Sequence, residues 1–219
     1  MPPKARVTRE KIIEAGFEIV REEGAECLSV RNVAGRLGSS TQPVMYNFST
    51  VEELVAAELA RAGEYRLSYI MPEGSGSRSP VAWGVDHIQF AAREPNVFRF
   101  LFQSGRFDAR KKRVPEEERV IETLAKDKAI GPASAEAVFF RLFAAAHGMA
   151  SLVANSAADY DEKLCTAYLE EVMRGLKTGA ASGKAARKEN EMAAEKGHAK
   201  GKDKGREKEK EKEKRKKKK

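Results

Sequence analysis

The sequence predicts an all-α fold: a three-helix N-terminal unit built on a helix-turn-helix, a longer helical domain, and an unstructured basic tail. Three observations predict it. Before residue 184, apolar residues recur at three- and four-residue spacing, and the alternation that marks strands is absent. Gly and Pro fall between the periodic stretches. After residue 184 the apolar pattern stops and charge takes over.

Thr8 to Glu23 puts Ile12, Ile13, Phe17 and Val20 on one helical face, and Gly24 follows. Ser29 occupies an N-cap position, and Val30, Val33, Ala34 and Leu37 line one side of a second, shorter helix. Gly38 lies just past its last apolar residue, where a helix ends in a left-handed conformation. Ser40 is placed to cap a third helix, with Pro43 tolerated in its first turn and Val44 and Phe48 as its inner stripe. Two helices this short bury little alone. They suit a helix-turn-helix, whose second helix enters the DNA major groove.

The outward face of that second helix carries Thr41, Gln42, Tyr46 and Asn47. A solvated face usually carries Lys and Glu, whereas a face that reads bases wants amides and hydroxyls. Gln or Asn pairs with adenine, and Thr offers a methyl to thymine. Ser29, Arg31, Ser40 and Pro43 complete the candidate DNA contacts. The plainer alternative is two helices of an ordinary bundle.

Thr50 to Glu53 reads as a capping box that opens a helix, continued by Leu54, Leu59 and Ala60 to about Tyr69. Pro72 to Ser79 reads as a linker, and further helices are expected at Val81–Arg93, Pro95–Gln103, Glu116–Lys128, Ala133–Ala154 and Asp161–Lys177. Nine helices result. The boundaries suggest a DNA-binding unit over 1–49, a ligand-binding and dimerisation domain over 50–178, and a tail over 179–219.

Eight of the ten Phe lie between Phe90 and Phe143. Phe98 and Phe102 share a face, as do Phe139, Phe143 and His147, and Trp83, His87 and Phe90 form a similar stripe. These eight residues (Trp83, His87, Phe90, Phe98, Phe102, Phe139, Phe143, His147) are either plain core or the lining of a pocket for an apolar or aromatic ligand. On the same late helix, Leu142, Ala145, Ala146, Met149, Leu152 and Val153 form a second apolar face, and Leu164, Ala167, Tyr168, Val172 and Leu176 another on the last helix. A second face needs a second partner. A two-fold copy of this helix pair is the economical choice, with burial inside one subunit as the alternative.

From Lys184 to Lys219 there are 17 Lys and Arg against 8 Asp and Glu, while the whole chain carries only +8. Residues 1–183 are therefore near neutral, and the pI near 9.4 belongs to the tail. A tail of Lys, Glu, Gly and Ala cannot bury enough apolar area to fold. Its alternating charges put like signs at i and i+4, against a long helix. The closing run Lys-Arg-Lys-Lys-Lys-Lys attracts polyanions such as DNA without regard to sequence.

Cys27 and Cys165 form no disulfide framework or metal spacing. No signal peptide is visible, and no stretch reads as a membrane span, the closest being Ala137 to Ala158. With His87, His147 and His198 in separate segments and no nucleophile motif, little is left for an enzyme site. No cofactor or metal is expected.

The chain resembles the tetracycline-repressor-like (TetR) transcriptional regulators over about its first quarter. The resemblance runs through Thr8 to Val20, Glu23-Gly24, Leu28 to Ala34, Leu37-Gly38, Ser40 to Pro43, Phe48 and Glu52 to Leu54. His147-Gly148-Met149-Ala150-Ser151-Leu152 is similar to a recurrent feature of the family's ligand-binding domain. The chain departs at Met45, Tyr46 and Val51, where the family usually has Tyr or Phe, often His or Arg, and Lys. In the family the aromatic and the Lys hold phosphates, so the phenol has moved by one position and one backbone contact is missing.

The resemblance implies a homodimer on a palindromic double-stranded DNA operator, a four-helix dimer interface, and a repressor released by a small-molecule effector. It implies a cytoplasmic, nucleoid-associated protein with no membrane partner. A structural, chromatin-like DNA-binding protein that relies on its tail and senses nothing is the alternative.

Overall fold

A computed structural model describes residues 7–70, 79–106 and 114–183. By their contacts, the described residues up to Met173 belong to one compact unit and 174–183, which are helical, to a second. Of the tail expected to be unstructured over 179–219, residues 179–183 are helical, and the rest lies outside the described residues.

The described residues form nine α-helices and no strand. They are α1 (Arg9–Glu23), α2 (Val30–Arg36), α3 (Thr41–Asn47), α4 (Val51–Ile70), α5 (Pro80–Arg93), α6 (Pro95–Phe102), α7 (Pro115–Lys126), α8 (Pro132–Ala154) and α9 over 162–183. The last helix runs six residues beyond Lys177, where the sequence pattern placed its end.

Among the described residues, side chains cap five helix starts, four of them as follows. Thr8 accepts the Lys11 amide, Ser29 the Asn32 amide, Ser79 the Ala82 amide and Asp161 the Leu164 amide. Gly38 takes φ +61°, and behind it the Ser39 amide returns to Ala34 O at 2.9 Å and the Gly38 amide to Gly35 O at 3.0 Å. This double return closes α2 and sets the tight turn into α3.

Two caps differ from expectation. Ser40 stands at the N-cap of α3 but makes no side-chain cap bond. The third residue of α3 is Pro43, which has no N–H to donate. At the start of α4, Thr50 accepts the Glu53 amide at 3.1 Å, but the Glu53 carboxylate takes the Ser49 amide at 2.8 Å, one residue before the cap.

Helix α4 also buries a different face from the one its apolar residues suggested. Its buried positions are Leu54, Glu58, Ala62, Arg66 and Ile70, a stripe of spacing four. Ala60 is exposed. Two of the five buried side chains are thus ionisable, and an apolar-periodicity reading passes over them.

The core is centred on α5, which packs on α8, with α7 also against α8 and α6 beneath α1 and α4. Gly84 permits the closest approach: a Cβ there would stand 2.7 Å from Leu169 Cδ1 and 3.5 Å from Ala146 Cβ. Helix α8 is long and apolar enough to cross a membrane by length and composition, although Arg141 and His147 interrupt it, as Asn155 does the Ala137 to Ala158 stretch. Here it is a core helix, with Val138, Leu142, Ala146 and Ala150 buried.

Candidate nucleic-acid interface and aromatic cluster

Val44 and Phe48 are fully buried, so α3 is pinned to α1 and α2 by its inner stripe. Its far end is fixed by Arg9, whose guanidinium lies 4.0 Å over the Phe48 ring and donates to Asn47 O at 2.8 Å. What remains outside is a neutral surface. Ser40, Thr41, Gln42, Met45 and Tyr46 are exposed, with Tyr46 at 89%. Arg31 on α2 is exposed, and Ser29 and Pro43 are half-buried. Asn47 behaves differently: its amide nitrogen folds back on Pro43 O at 2.8 Å, so that donor serves the helix. Met45 and Val51, the two apolar departures, both face outward at 45% exposure.

Arg21, Tyr65 and Asn96 join α1, α4 and the α5–α6 junction. Arg21 grips Glu94, at the α5–α6 junction, with Nη2 at 2.8 Å and Nε at 3.0 and 3.2 Å. The Tyr65 hydroxyl donates to the same carboxylate at 2.6 Å, and Asn96 donates to Arg21 O at 2.9 Å. Burial first, and the Glu94 hydrogen bond next, push the Tyr65 phenol up to about 12. Nearer the helix-turn-helix, Glu58 presses on Gly16, where any Cβ would overlap its carboxylate. Both Glu58 oxygens are buried without a partner. Burial, then Glu14, push the carboxyl up to about 8, with Arg61 opposing.

The aromatic residues converge around His87. Its ring centroid lies 6.0 Å from Trp83, 5.5 Å from Phe98, 5.3 Å from Phe102, 5.7 Å from Phe143 and 5.5 Å from His147. Phe139 joins through Trp83 at 5.2 Å. Phe90 does not join. It is turned to Tyr65 and Tyr69, because its offset of three from His87 carries it round the helix toward α4.

A cation absent from the sequence reading also meets this cluster. Arg66 Nη2 stands 3.3 Å from His87 Nδ1, and its guanidinium lies 5.3 Å from the Phe102 centroid. His87 Nε2 is in turn 3.3 Å from His147 Nδ1. A guanidinium can only donate, so His87 accepts at Nδ1, carries its proton on Nε2 and donates to His147. His147 then holds its proton on Nε2. Burial, and then the Arg66 charge, keep both imidazoles below their ordinary range, His87 well below, so both are neutral.

Two faces stay open. On α8, Phe140 (57% exposed), Ala144, Gly148 and Leu152 (49%) form an exposed stripe of spacing four. The stripe expected there fares differently: Leu142, Ala146 and Val153 are buried, Ala145 and Met149 half-buried, and Leu152 alone is exposed. The helix is apolar on nearly every side, so spacing alone did not choose between the two. On α9, Leu164 (62% exposed), Ala167 and Tyr168 are exposed as expected, while Cys165, Leu169 and Met173 turn inward. Both cysteines are free, and among the described residues no three His, Cys, Asp or Glu gather as a metal site.

No protein-family model and no curated relative matches this sequence. Solved structures do. A transcriptional regulator from Rhodococcus sp. Rha1 is 23% identical, with a TM-score of 0.53, covering 80% of this chain and 98% of that one. A TetR-like transcriptional regulator from Rhodococcus sp. RHA1 is 17% identical over the same shares, with a TM-score of 0.51. The multidrug binding protein EbrR, solved with imidazole, is 20% identical with a TM-score of 0.50, covering 75% of this chain and 88% of that one. An N-terminal helix-turn-helix followed by this helical domain is the fold of the TetR-like transcriptional regulators, and it is the fold of this chain.

Proposed function

We propose that the protein is a sequence-specific DNA-binding transcriptional regulator and not an enzyme. It acts as a homodimer in the cytoplasm, and as a repressor released by a small apolar or aromatic ligand. One observation carries this reading: α3 offers a neutral, exposed face of Thr41, Gln42 and Tyr46 on a helix whose inner side is buried. Gln42 is placed to pair with a base. Ser29 and Arg31 at the start of α2, and Ser40 and Pro43 at the start of α3, are the further candidate DNA contacts. Asn47 is assigned to holding the end of α3. The likeness to solved TetR-like regulators supports the class. Residues 1–49 take the DNA, residues 50–178 the ligand and the second subunit, and the basic tail adds affinity without selectivity.

The ligand reading is supported by the convergence of Trp83, His87, Phe98, Phe102, Phe139, Phe143 and His147 on one place. EbrR, of the same fold, is described as a multidrug binding protein. Selection from random duplexes tests the DNA reading. A palindromic site with half-sites about one helical turn, or a multiple, apart is expected. Gln42→Ala is expected to relax one base pair per half-site, at about 1–3 kcal/mol. If only bulk, salt-sensitive binding survives, and it disappears on truncation after Gly183, the chromatin-like alternative replaces this one.

A further inference from the structure

Arg66 is 6% exposed, and its hydrogen-bonding capacity is largely unused. Its Nε has no partner, and neither has the buried Trp83 Nε1 on the far side of His87. Its one hydrogen-bond contact is the neutral His87, and no carboxylate lies within pairing distance of it; Glu116 and Glu117 on α7 attract it from farther away. Arginine stays charged under all ordinary conditions. A buried cation without a close counter-ion is costly, and buried ionisable groups of this kind cluster at functional sites. Arg66 Nε and Trp83 Nε1 are both donors, and the one buried carboxylate oxygen among their orphaned neighbours, Glu116 Oε2, makes no hydrogen bond to either. The rings around them (Trp83, Phe98, Phe102, Phe143) suit a flat apolar body.

We propose that this cluster is a site for an aromatic carboxylate, with Arg66 taking the carboxylate and the rings taking the aromatic body. This rests on the ligand-responsive reading above and narrows its ligand to an organic anion. The Arg66 guanidinium offers a planar fork to the two oxygens. The chain from Arg66 through His87 to His147 holds both imidazoles neutral in defined tautomers, so neither adds a charge to that of Arg66, and Glu116 and Glu117 act on it from beyond pairing distance. A cationic or neutral ligand of the same shape leaves that charge uncompensated.

The test uses the full chain without DNA, by thermal shift and calorimetry. The probes are benzoate, phenylacetate and naphthoate, each against its neutral amide, with benzamidine as the cation. Carboxylates are expected to raise the melting temperature and to bind about 10- to 100-fold more tightly than their amides. Arg66→Met should abolish that preference while raising the melting temperature of the free protein, because it removes a buried unpaired charge. Arg66→Lys keeps charge without the fork and should retain part of the preference. The proposal is overturned if amides bind as tightly as carboxylates, if Arg66→Met binds carboxylates unchanged, or if no probe binds at 10-millimolar order (~10 mM, a free energy of only about −2.7 kcal/mol). Because no DNA is present, a failed operator selection leaves this result readable, and the reverse holds too.

Discussion

Tyr65 and Arg66, neighbours on α4, serve two different networks. Tyr65 donates to Glu94 at 2.6 Å and so meets Arg21 on α1, whereas Arg66 faces His87 at 3.3 Å. One helix thus touches the aromatic cluster through Arg66 and α1 through Tyr65. Eight residues earlier, Glu58 on the same buried stripe as Arg66 presses on α1 at Gly16. A ligand can shift a regulator only if it binds one arrangement better than another. If the cluster takes a ligand as proposed, movement of α4, which packs on α1, is one route by which occupancy at Arg66 would reach α2 and α3.

The Glu94 carboxylate should therefore be a coupling point. Tyr65→Phe removes one hydrogen bond to a charged acceptor, and Arg21→Ala removes a two-nitrogen grip whose cation is 40% exposed. Each is expected to cost about 1–3 kcal/mol in urea denaturation. Because both partners share one carboxylate, the double variant should cost less or more than the sum by at least about 0.5 kcal/mol. Strict additivity in the double-mutant cycle would mean the two contacts act separately.

Glu58 predicts a pH dependence. Its carboxyl is pushed up to about 8 by burial first and Glu14 second. Unfolded, it titrates in the ordinary carboxylate range. Between those limits the native state holds a proton the unfolded chain has lost, so stability falls as pH rises toward about 8 and levels off above it. The contribution is full at acid pH and gone in base. Glu58→Gln keeps the shape without the proton, so its stability curve should lack this fall and cross above the wild type at high pH. Parallel curves from pH 5 to 9, on the order of the span covered by the shift, would rule Glu58 out as the source.

How much of this was legible varies with what a pattern can carry. The helices and the turn at Gly38 were readable, because caps and left-handed glycines leave local marks. The inner stripe of α3 was readable too, since Val44 and Phe48 are its only large apolar residues besides Met45. Helix α8 defeated spacing because both its faces are apolar, so the exposed stripe of Phe140 and Leu152 looked no different from the buried one. Arg66 and Glu58 were invisible for the opposite reason. Charged residues on a helix of mixed composition read as surface, and only packing shows that the stripe they share with Leu54 turns inward.

The serines of the turn should separate cleanly. Ser29→Ala removes a cap bond to the Asn32 amide and should cost about 1 kcal/mol in thermal unfolding. Ser40→Ala removes no cap bond, since Pro43 has no amide to offer, and should leave stability within about 0.5 kcal/mol. Its effect, if Ser40 meets DNA, belongs to operator affinity alone. Equal losses of stability from the two would mean that Ser40 caps α3 after all.

The exposed stripe on α8 makes the last prediction. Phe140, Ala144, Gly148 and Leu152 stand one turn apart, with the smallest residues in the middle and nothing within 4 Å of a Cβ placed at Gly148. An isolated subunit has no use for an apolar row with a groove at its centre. A second helix laid along it would bury the two large ends and approach closely at Gly148. Together with Leu164 and Tyr168 on α9, such a face can supply the core of a dimer interface, which typically buries about 1,200–2,000 Å². Gly148→Leu is the informative variant. Within one subunit it fits open space and improves helix propensity by up to about 1 kcal/mol. Across a dimer it wedges the helices apart. It should therefore shift sedimentation toward monomer with helical content unchanged. It should also weaken binding to a full palindrome far more than binding to a half-site. Phe140→Glu with Leu152→Glu should do the same, whereas Leu142→Glu, buried in the core, should simply unfold the domain. If Gly148→Leu sediments as the wild type does, the subunits meet somewhere else.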